Sequence, residues 1–136
     1  MDYKKAYGSI NVLEVEIRTF ANEGYAVKYD FSRKVISWRD NYMWNNNFTR
    51  SISDENLKLI RDQLPLSGML EWMNGYNMGL TEKYGDKTVI PGEWTIKIEF
   101  KDKTNMKSGA EQHFPKKWKE LQHLIEQTTG CSFTLR

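Results

Sequence analysis

Period-two alternation of apolar and polar side chains is the feature that most constrains how this chain can fold. The alternation is clearest in 93–100, where Trp94, Ile96, Ile98 and Phe100 share one parity, which means that they occupy every second position. Charged or hydroxyl side chains occupy most of the positions between them. This pattern is typical of a strand with one buried and one solvated face. Three further stretches show it: 10–20, 25–31 and 34–44. We therefore expect an antiparallel sheet, which commonly has one covered and one solvated face.

In the stretch 34–44, a strand pattern overlaps with a turn pattern. Four large residues of one parity predict a strand that enters the core: Ile36, Trp38, Tyr42 and Trp44. Asp40 has the same parity, and with Asn41 it indicates a bulge or turn. The following segment, 45–50, begins with three asparagines and is expected to be an exit loop, since asparagine tolerates turn conformations.

Two helices are predicted from capping residues and apolar spacing. The first begins after Ser53 as N-cap, with Ser51 as a competing cap, and ends at Pro65. The second begins at Pro115 and ends before Gly130. Residues 66–92 are expected to be mostly loop, with one helical turn around 70–73, and 106–112 are expected to return as a strand.

These elements predict one α+β domain spanning 1–136. Its order is β-β-β-α-(loop)-β-β-α, which gives an antiparallel sheet of about five strands covered by two helices. An open antiparallel sheet keeps unpaired edges, so we expect either a monomer or an edge-paired dimer. The length of 136 residues suffices for a core without disulfides or metals.

Charge and cysteine content narrow the range of partners and compartments. The net charge is only +2, which is far from the basic footprint of most nucleic-acid-binding domains. One cysteine excludes an internal disulfide and favours a reducing compartment. No apolar run approaches a membrane span or a signal peptide, so we expect a cytoplasmic protein without membrane association.

No combination of residues in the sequence indicates catalysis, a cofactor or a metal. The two histidines, His113 and His123, have no motif around them, and Cys131 has no partner with a known catalytic spacing. Glycine-rich phosphate loops and metal-ligand spacings are also missing from the sequence. We therefore predict a protein that is not an enzyme, with no catalytic, cofactor-binding or metal-binding residues.

Two groups of residues are candidates for binding. Trp, Tyr and Arg dominate interface hot spots, so the segment after the third strand and the uncertain loop form the first group. Its members are Arg39, Asp40, Asn45, Asn46, Phe48, Trp72, Tyr76, Tyr84 and Asp86. The second group is the local excess of lysine, which suits an anion or a nucleic acid. Its members are Lys97, Lys101, Lys103, Lys107, Lys116, Lys117 and Lys119.

The C-terminal third contains a pattern of large residues that is similar to a group of known sequences. Its matching positions are Trp94, Ile96, Ile98, Phe100, Gly109, Pro115, Trp118 and Leu121. In this pattern the chain resembles small uncharacterised α+β proteins from AT-rich bacterial genomes and their mobile elements. The resemblance covers about a quarter of the chain. It implies a shared packing arrangement and brings no activity.

These observations together predict a small, non-enzymatic protein-binding module. An inhibitor, an immunity-type protein or an accessory protein, encoded on a mobile element, fits the size, the aromatic content and the lack of a catalytic motif. An enzyme with an unrecognised site and a small-molecule binder with a cavity between the sheet and the helices are the lesser alternatives. The principal alternative is a nucleic-acid-binding protein that uses the lysine group. A protein partner lost on substitution of the aromatic residues, or a salt-sensitive complex with nucleic acid, distinguishes the two.

Overall fold

A computed structural model describes residues 2–135 of the chain, and within 85–90 it describes the backbone without the side chains. The described chain forms six strands: β1 (Ile10–Arg18), β2 (Gly24–Asp30), β3 (Val35–Asp40), β4 (Phe48–Ser51), β5 (Gly85–Phe100) and β6 (Asn105–Pro115). It also forms five α-helices: α1 (Tyr3–Gly8), α2 (Asp54–Ser67), α3 (Met69–Asn77), α4 (Thr81–Tyr84) and α5 (Trp118–Thr129).

The six strands make one open antiparallel sheet in the order β4-β3-β2-β1-β5-β6. Strand β1 lies at its centre, where Val15 pairs with Val27 of β2 and with Ile96 of β5. All three side chains are fully buried, because the register places the apolar parity of each strand on the same face. Strands β4 and β6 form the two edges.

Helices cover the apolar face of the sheet. The ring of Trp94 in β5 packs edge-on against the ring of Trp72 in α3, with 5.4 Å between the ring centres. The ring of Trp118 in α5 lies 5.8 Å from Trp94, again between ring centres. Tyr29 of β2 shares a hydrogen bond of 2.6 Å with Thr128 of α5. The buried apolar residues of the sheet and the helices form one hydrophobic cluster. Among the described residues, the opposite face of the sheet carries mainly charged and small side chains, and none of the described helices covers it.

The predicted α+β class and the antiparallel sheet are confirmed, whereas the counts of strands and helices differ. The additional strand is β4, formed by residues that we expected in an exit loop. Short helix α1 at the N-terminus was not predicted. Ser53 is the N-cap of α2, since its hydroxyl accepts a hydrogen bond from the Asn56 amide at 3.1 Å.

Residues 66–92, which were expected to be mostly loop, are instead largely regular. Helix α2 continues through Pro65 to Ser67, and Gly68 then adopts a left-handed φ of 69° that starts α3 at once. Met69, Leu70 and Met73 are fully buried, so α3 is a core helix. The helical turn expected around 70–73 is confirmed, since it lies within α3. The loop expectation for the rest failed because burial from a tertiary contact outweighs the glycines and asparagines that suggest a loop.

The C-terminal helix begins later than predicted. Pro115 is the last residue of β6, and α5 begins at Trp118. At its other end, the prediction is confirmed, because Gly130 caps α5 with a left-handed φ of 73°.

Candidate partner-binding site

A buried carboxylate builds the turn that follows β3. Asp40 is 4% exposed, and its Oδ1 accepts hydrogen bonds from the backbone amides of Tyr42 at 2.8 Å and Met43 at 3.0 Å. Its Oδ2 accepts a hydrogen bond from the side-chain amide of Asn46 at 3.2 Å. In the reverse direction, the Asp40 amide donates to Oδ1 of Asn47 at 2.7 Å. These four bonds fix the path of residues 40–47, which we call the tip.

The tip presents its largest side chain to solvent. Residues Trp44–Asn46 form one 3₁₀ turn, in which the Asn47 amide donates to the carbonyl of Trp44 at 3.2 Å. Trp44 is 84% exposed and the neighbouring Met43 is 45% exposed. The other four tryptophans are between 1% and 6% exposed, so Trp44 is the one exposed indole of this chain.

A second exposed aromatic lies at the same end of the sheet. Phe20, 62% exposed, belongs to the turn between β1 and β2. The tip is joined to this end, because the Asn41 amide donates to the carbonyl of Gly24 at the start of β2, at 2.8 Å. Phe20, Met43 and Trp44 are thus three exposed apolar side chains at the same end of the sheet.

The assignment of Trp44 to the core is wrong, whereas the assignment of Trp38 is correct. Strand β3 stops at Asp40, because the Asp40 side chain takes the amides that a longer strand would give to its neighbour. Parity therefore no longer predicts burial beyond this residue. Trp38 is 4% exposed and stacks on Tyr25 at 5.3 Å, and Tyr42 is half-buried against the same ring at 5.4 Å.

The structure does not bring the predicted partner-binding residues together in one place. Asp40, Asn45 and Asn46 belong to the tip. Arg39 is exposed on the open face of the sheet, beside the tip. Phe48, the first residue of β4, is half-buried, stacks on Trp38 at 6.3 Å and has the Arg50 guanidinium 4.8 Å from its ring centre.

The remaining predicted residues do not join the tip. Trp72 and Tyr76 lie in α3 with 3% and 9% exposure, and both rings pack against Trp94, so they do not form an exposed loop surface. Tyr84 ends α4 and is half-buried against Gly75 of α3. The side chain of Asp86 lies outside the described residues.

A groove on the open face of the sheet adjoins the tip. It has a volume of about 520 Å³, and its lining includes Arg39, Asn47 and Phe48 at the tip end. Glu14 and Lys28 line its other part. The tip and this groove therefore form one continuous surface that combines an apolar projection with charged groups of both signs.

The lysine group does not form one surface. Lys97 and Lys107 are paired across β5 and β6 on the open face of the sheet, next to Glu14 and Glu16. Lys101 and Lys103 lie at the turn between these strands. The others, Lys116, Lys117 and Lys119, lie beyond the far end of β6. With about 3.3 Å per residue, the 11 residues of β6 separate the two ends by roughly 35 Å.

The residues with catalytic potential are dispersed. His123 is exposed and lies 3.9 Å from Glu126, its neighbour on the same helix. The backbone carbonyl of His113 accepts hydrogen bonds from Trp94 at 2.8 Å and Tyr76 at 3.3 Å, while its side chain is exposed. Burial raises the pKa of the Cys131 thiol. Among the described side chains, no group of three or more His, Cys, Asp or Glu residues is placed to hold a metal ion.

Comparison of the chain with models of known families, with curated proteins and with solved structures finds no match. No helix in the described part of the chain is long and apolar enough to cross a membrane. The geometry of the tip and its surroundings is therefore the basis for a functional hypothesis.

Proposed function

We propose that this protein is a non-enzymatic module that binds a partner protein through the tip, with Trp44 as the anchor. The observation that carries the proposal is an indole that is 84% exposed on a turn held by a buried carboxylate. Tryptophan is strongly enriched among the residues that dominate binding energy at interfaces. The exposed side chains of Phe20 and Met43 lie at the same end of the sheet.

The rigidity of the tip favours binding over accidental exposure. A flexible loop loses conformational entropy when it binds, whereas a turn that is ordered beforehand loses much less. The buried carboxylate of Asp40 accepts hydrogen bonds from the turn, and such bonds compensate the cost of burying a charge. These bonds order the turn that carries Trp44.

The surroundings of Trp44 indicate the chemistry of the partner. An apolar pocket accepts the indole, while Arg39 and the groove beside the tip supply charged contacts at the rim, as interfaces commonly have. An inhibitor, an immunity-type protein or an accessory protein in the cytoplasm uses such a surface to bind one defined target. The chain has no need of a catalytic group for that role.

The lysine group gives less support to nucleic-acid binding. Seven lysines that are divided between two distant ends and the open face do not line up along one phosphate backbone. On the open face, Glu14 and Glu16 lie next to Lys97 and Lys107 and reduce the local positive potential.

The test is affinity capture from lysate of the source cell with three baits. These are the wild-type protein, Trp44→Ala and Leu66→Ala, where Leu66 is an apolar residue of α2 with 65% exposure. We expect a single protein that resists nuclease and is retained by wild type and Leu66→Ala but not by Trp44→Ala. A photoreactive amino acid at position 44 should then form a covalent adduct with the same protein.

Two results would contradict the proposal. Equal capture by wild type and Trp44→Ala would show that another surface binds the partner. Recovery of nucleic acid alone, or only of proteins that nuclease removes, would favour the lysine group. Because Leu66→Ala removes a comparable exposed apolar side chain elsewhere, it separates loss of the anchor from a general loss of surface hydrophobicity.

A further inference from the structure

A second cavity lies at the other end of the sheet from the tip, between α1, α2 and the ends of the strands. Its volume is about 830 Å³. The cavity floor is apolar and consists of Ile10, Phe31, Leu57, Ile60 and Leu64. Three of these, Ile10, Ile60 and Leu64, are between 3% and 5% exposed, so the floor belongs to the core.

The rim of this cavity carries positive charge only. Lys4 of α1, Lys34 of the turn after β2, Arg61 of α2 and Lys101 of the turn after β5 all line it and are exposed. Among its described lining residues, none is acidic. The nearby carboxylate of Asp30 is engaged in its own turn, where it accepts hydrogen bonds from the Ser32 hydroxyl at 2.7 Å and the Arg33 amide at 3.1 Å.

Backbone hydrogen bonds hold the walls of the cavity in place. The Lys101 amide donates to the carbonyl of Ser9 at 2.8 Å, and the Phe31 amide donates to the carbonyl of Asn11 at 2.9 Å. The Lys34 carbonyl accepts from the Ile52 amide at 2.7 Å. The cations therefore come from four separate segments whose positions are fixed by the fold.

An apolar floor with a cationic rim is complementary to an amphipathic anion. The volume lies within the range of roughly 300–1,000 Å³ that is typical of small-molecule sites. The apolar body of such a ligand covers the floor, and its anionic head contacts the cations of a rim whose described residues include no acid. We propose that this cavity binds a small acyl-chain carboxylate, a ligand of the fatty-acid class.

The proposal is tested by titrating the ¹⁵N-labelled protein with dodecanoate below its micelle concentration. Saturable one-to-one shifts are expected at the amides of Gly8, Asn11 and Ser32, which line the cavity, and no shift is expected at Trp44. Dodecyltrimethylammonium has the same chain with the opposite charge, and acetate has the head without the chain. Both are expected to leave these amides unshifted.

Charge-reversal variants test the role of the rim. Arg61→Glu with Lys101→Glu should weaken dodecanoate binding about tenfold, since it replaces two attractive charges at the rim with two repulsive ones. Lys58→Glu with Lys119→Glu changes the net charge equally at exposed positions outside the cavity, and it should bind as wild type does. Loss of amide dispersion in the spectrum of the Arg61→Glu, Lys101→Glu variant would show that this variant does not fold. In that case the single variant Lys4→Glu replaces it, and it should weaken dodecanoate binding about threefold.

Three outcomes would overturn the proposal. The first is equal binding of dodecanoate and dodecyltrimethylammonium, and the second is dodecanoate shifts that map elsewhere. The third is a response of the cavity amides to an acidic amphipathic peptide but not to dodecanoate, which would make this a protein-docking surface instead.

Discussion

At the scale of the residue, Asp40 and Glu71 show two uses of a carboxylate away from water. The oxygens of Asp40 accept hydrogen bonds from the tip, whereas Oε1 of Glu71 is buried without a hydrogen-bond partner in the described structure. Oε2 of Glu71 accepts from the Tyr7 hydroxyl at 3.4 Å. The carboxylate of Asp40 orders the tip, whereas the burial of an unpaired oxygen of Glu71 lowers the stability of the fold.

Removal of the Asp40 side chain should open the tip. Asp40→Ala leaves the amides of Tyr42 and Met43 and the side chain of Asn46 without their acceptor. We expect the free energy of unfolding to fall by about 2–4 kcal/mol, because each unsatisfied donor costs roughly 1–3 kcal/mol when it is buried and less when water reaches it. Urea unfolding measures the change. Asp62→Ala, at an exposed position of α2, is the control and should change stability by less than about 0.5 kcal/mol.

Glu71 should make stability depend on pH. Burial raises the pKa of Glu71, and the hydrogen bond from Tyr7 and the charge of Lys117 oppose this in part. A raised folded-state pKa stabilises the fold below the ordinary pKa of glutamate, and this contribution is lost as the pH rises through the folded-state value. Glu71→Gln should therefore be more stable than wild type at pH 7, and the difference should shrink towards pH 4.

Urea unfolding of wild type and Glu71→Gln at both pH values measures this difference. The same measurements on Glu111→Gln, at an exposed position of β6, are the control for the loss of a carboxylate. A Glu71→Gln variant that is less stable than wild type at pH 7 would show that the charge of Glu71 stabilises the fold.

At the scale of the element, α3 explains why an aromatic residue in an apparent loop is a core residue. Trp72 packs against Trp94 and Trp118, and its indole Nε1–H donates to the carbonyl of Ser67 at 3.1 Å. The short link through Gly68 turns α3 back over the sheet directly after α2. A loop prediction for this segment therefore misplaces its largest side chain.

Two tryptophan-to-alanine substitutions should differ greatly in their effect on the free energy of unfolding. Trp72→Ala is expected to lower the free energy of unfolding by about 3–5 kcal/mol, since it leaves a cavity in the core. Trp44→Ala is expected to change it by less than about 0.5 kcal/mol, since it removes an exposed side chain. Thermal or urea unfolding of the two variants provides the comparison, and similar losses of stability would contradict these placements.

The elements also show how far the sequence alone predicts the structure. Alternation predicted β1, β2 and β5 because the burial of one parity follows directly from the pleat. It failed after Asp40, where a side chain replaces a neighbouring strand as the acceptor of backbone amides. Strand β4 has only 4 residues and helix α1 only 6, which is too short for a periodic signal.

The candidate site was predictable only in part for the same reason. The turn residues Asp40, Asn45 and Asn46 marked the tip, whereas for Trp44 the sequence left two interpretations, a core residue by parity and an exposed residue of the turn. The asparagines that follow Trp44 were the signal that favoured a turn at this point. The cavity at the opposite end was not predictable, because its cations come from four segments that only the fold brings together.

At the scale of the whole molecule, the two proposed binding surfaces lie at opposite ends of one sheet. The tip lies where β1 and β3 end, and the cavity lies where β1 and β3 begin. The covered face of the sheet joins them through a continuous hydrophobic cluster. The two proposed surfaces therefore do not overlap.

The measurement that tests the central claim most directly is the affinity of the captured partner for wild type, Trp44→Ala and Leu66→Ala by calorimetry. If Trp44 is the anchor, Trp44→Ala should weaken binding at least about thirtyfold, which corresponds to a hot spot of about 2 kcal/mol, while Leu66→Ala binds as wild type does. Equal affinities of wild type and Trp44→Ala would contradict the account, because the tip would then be outside the interface.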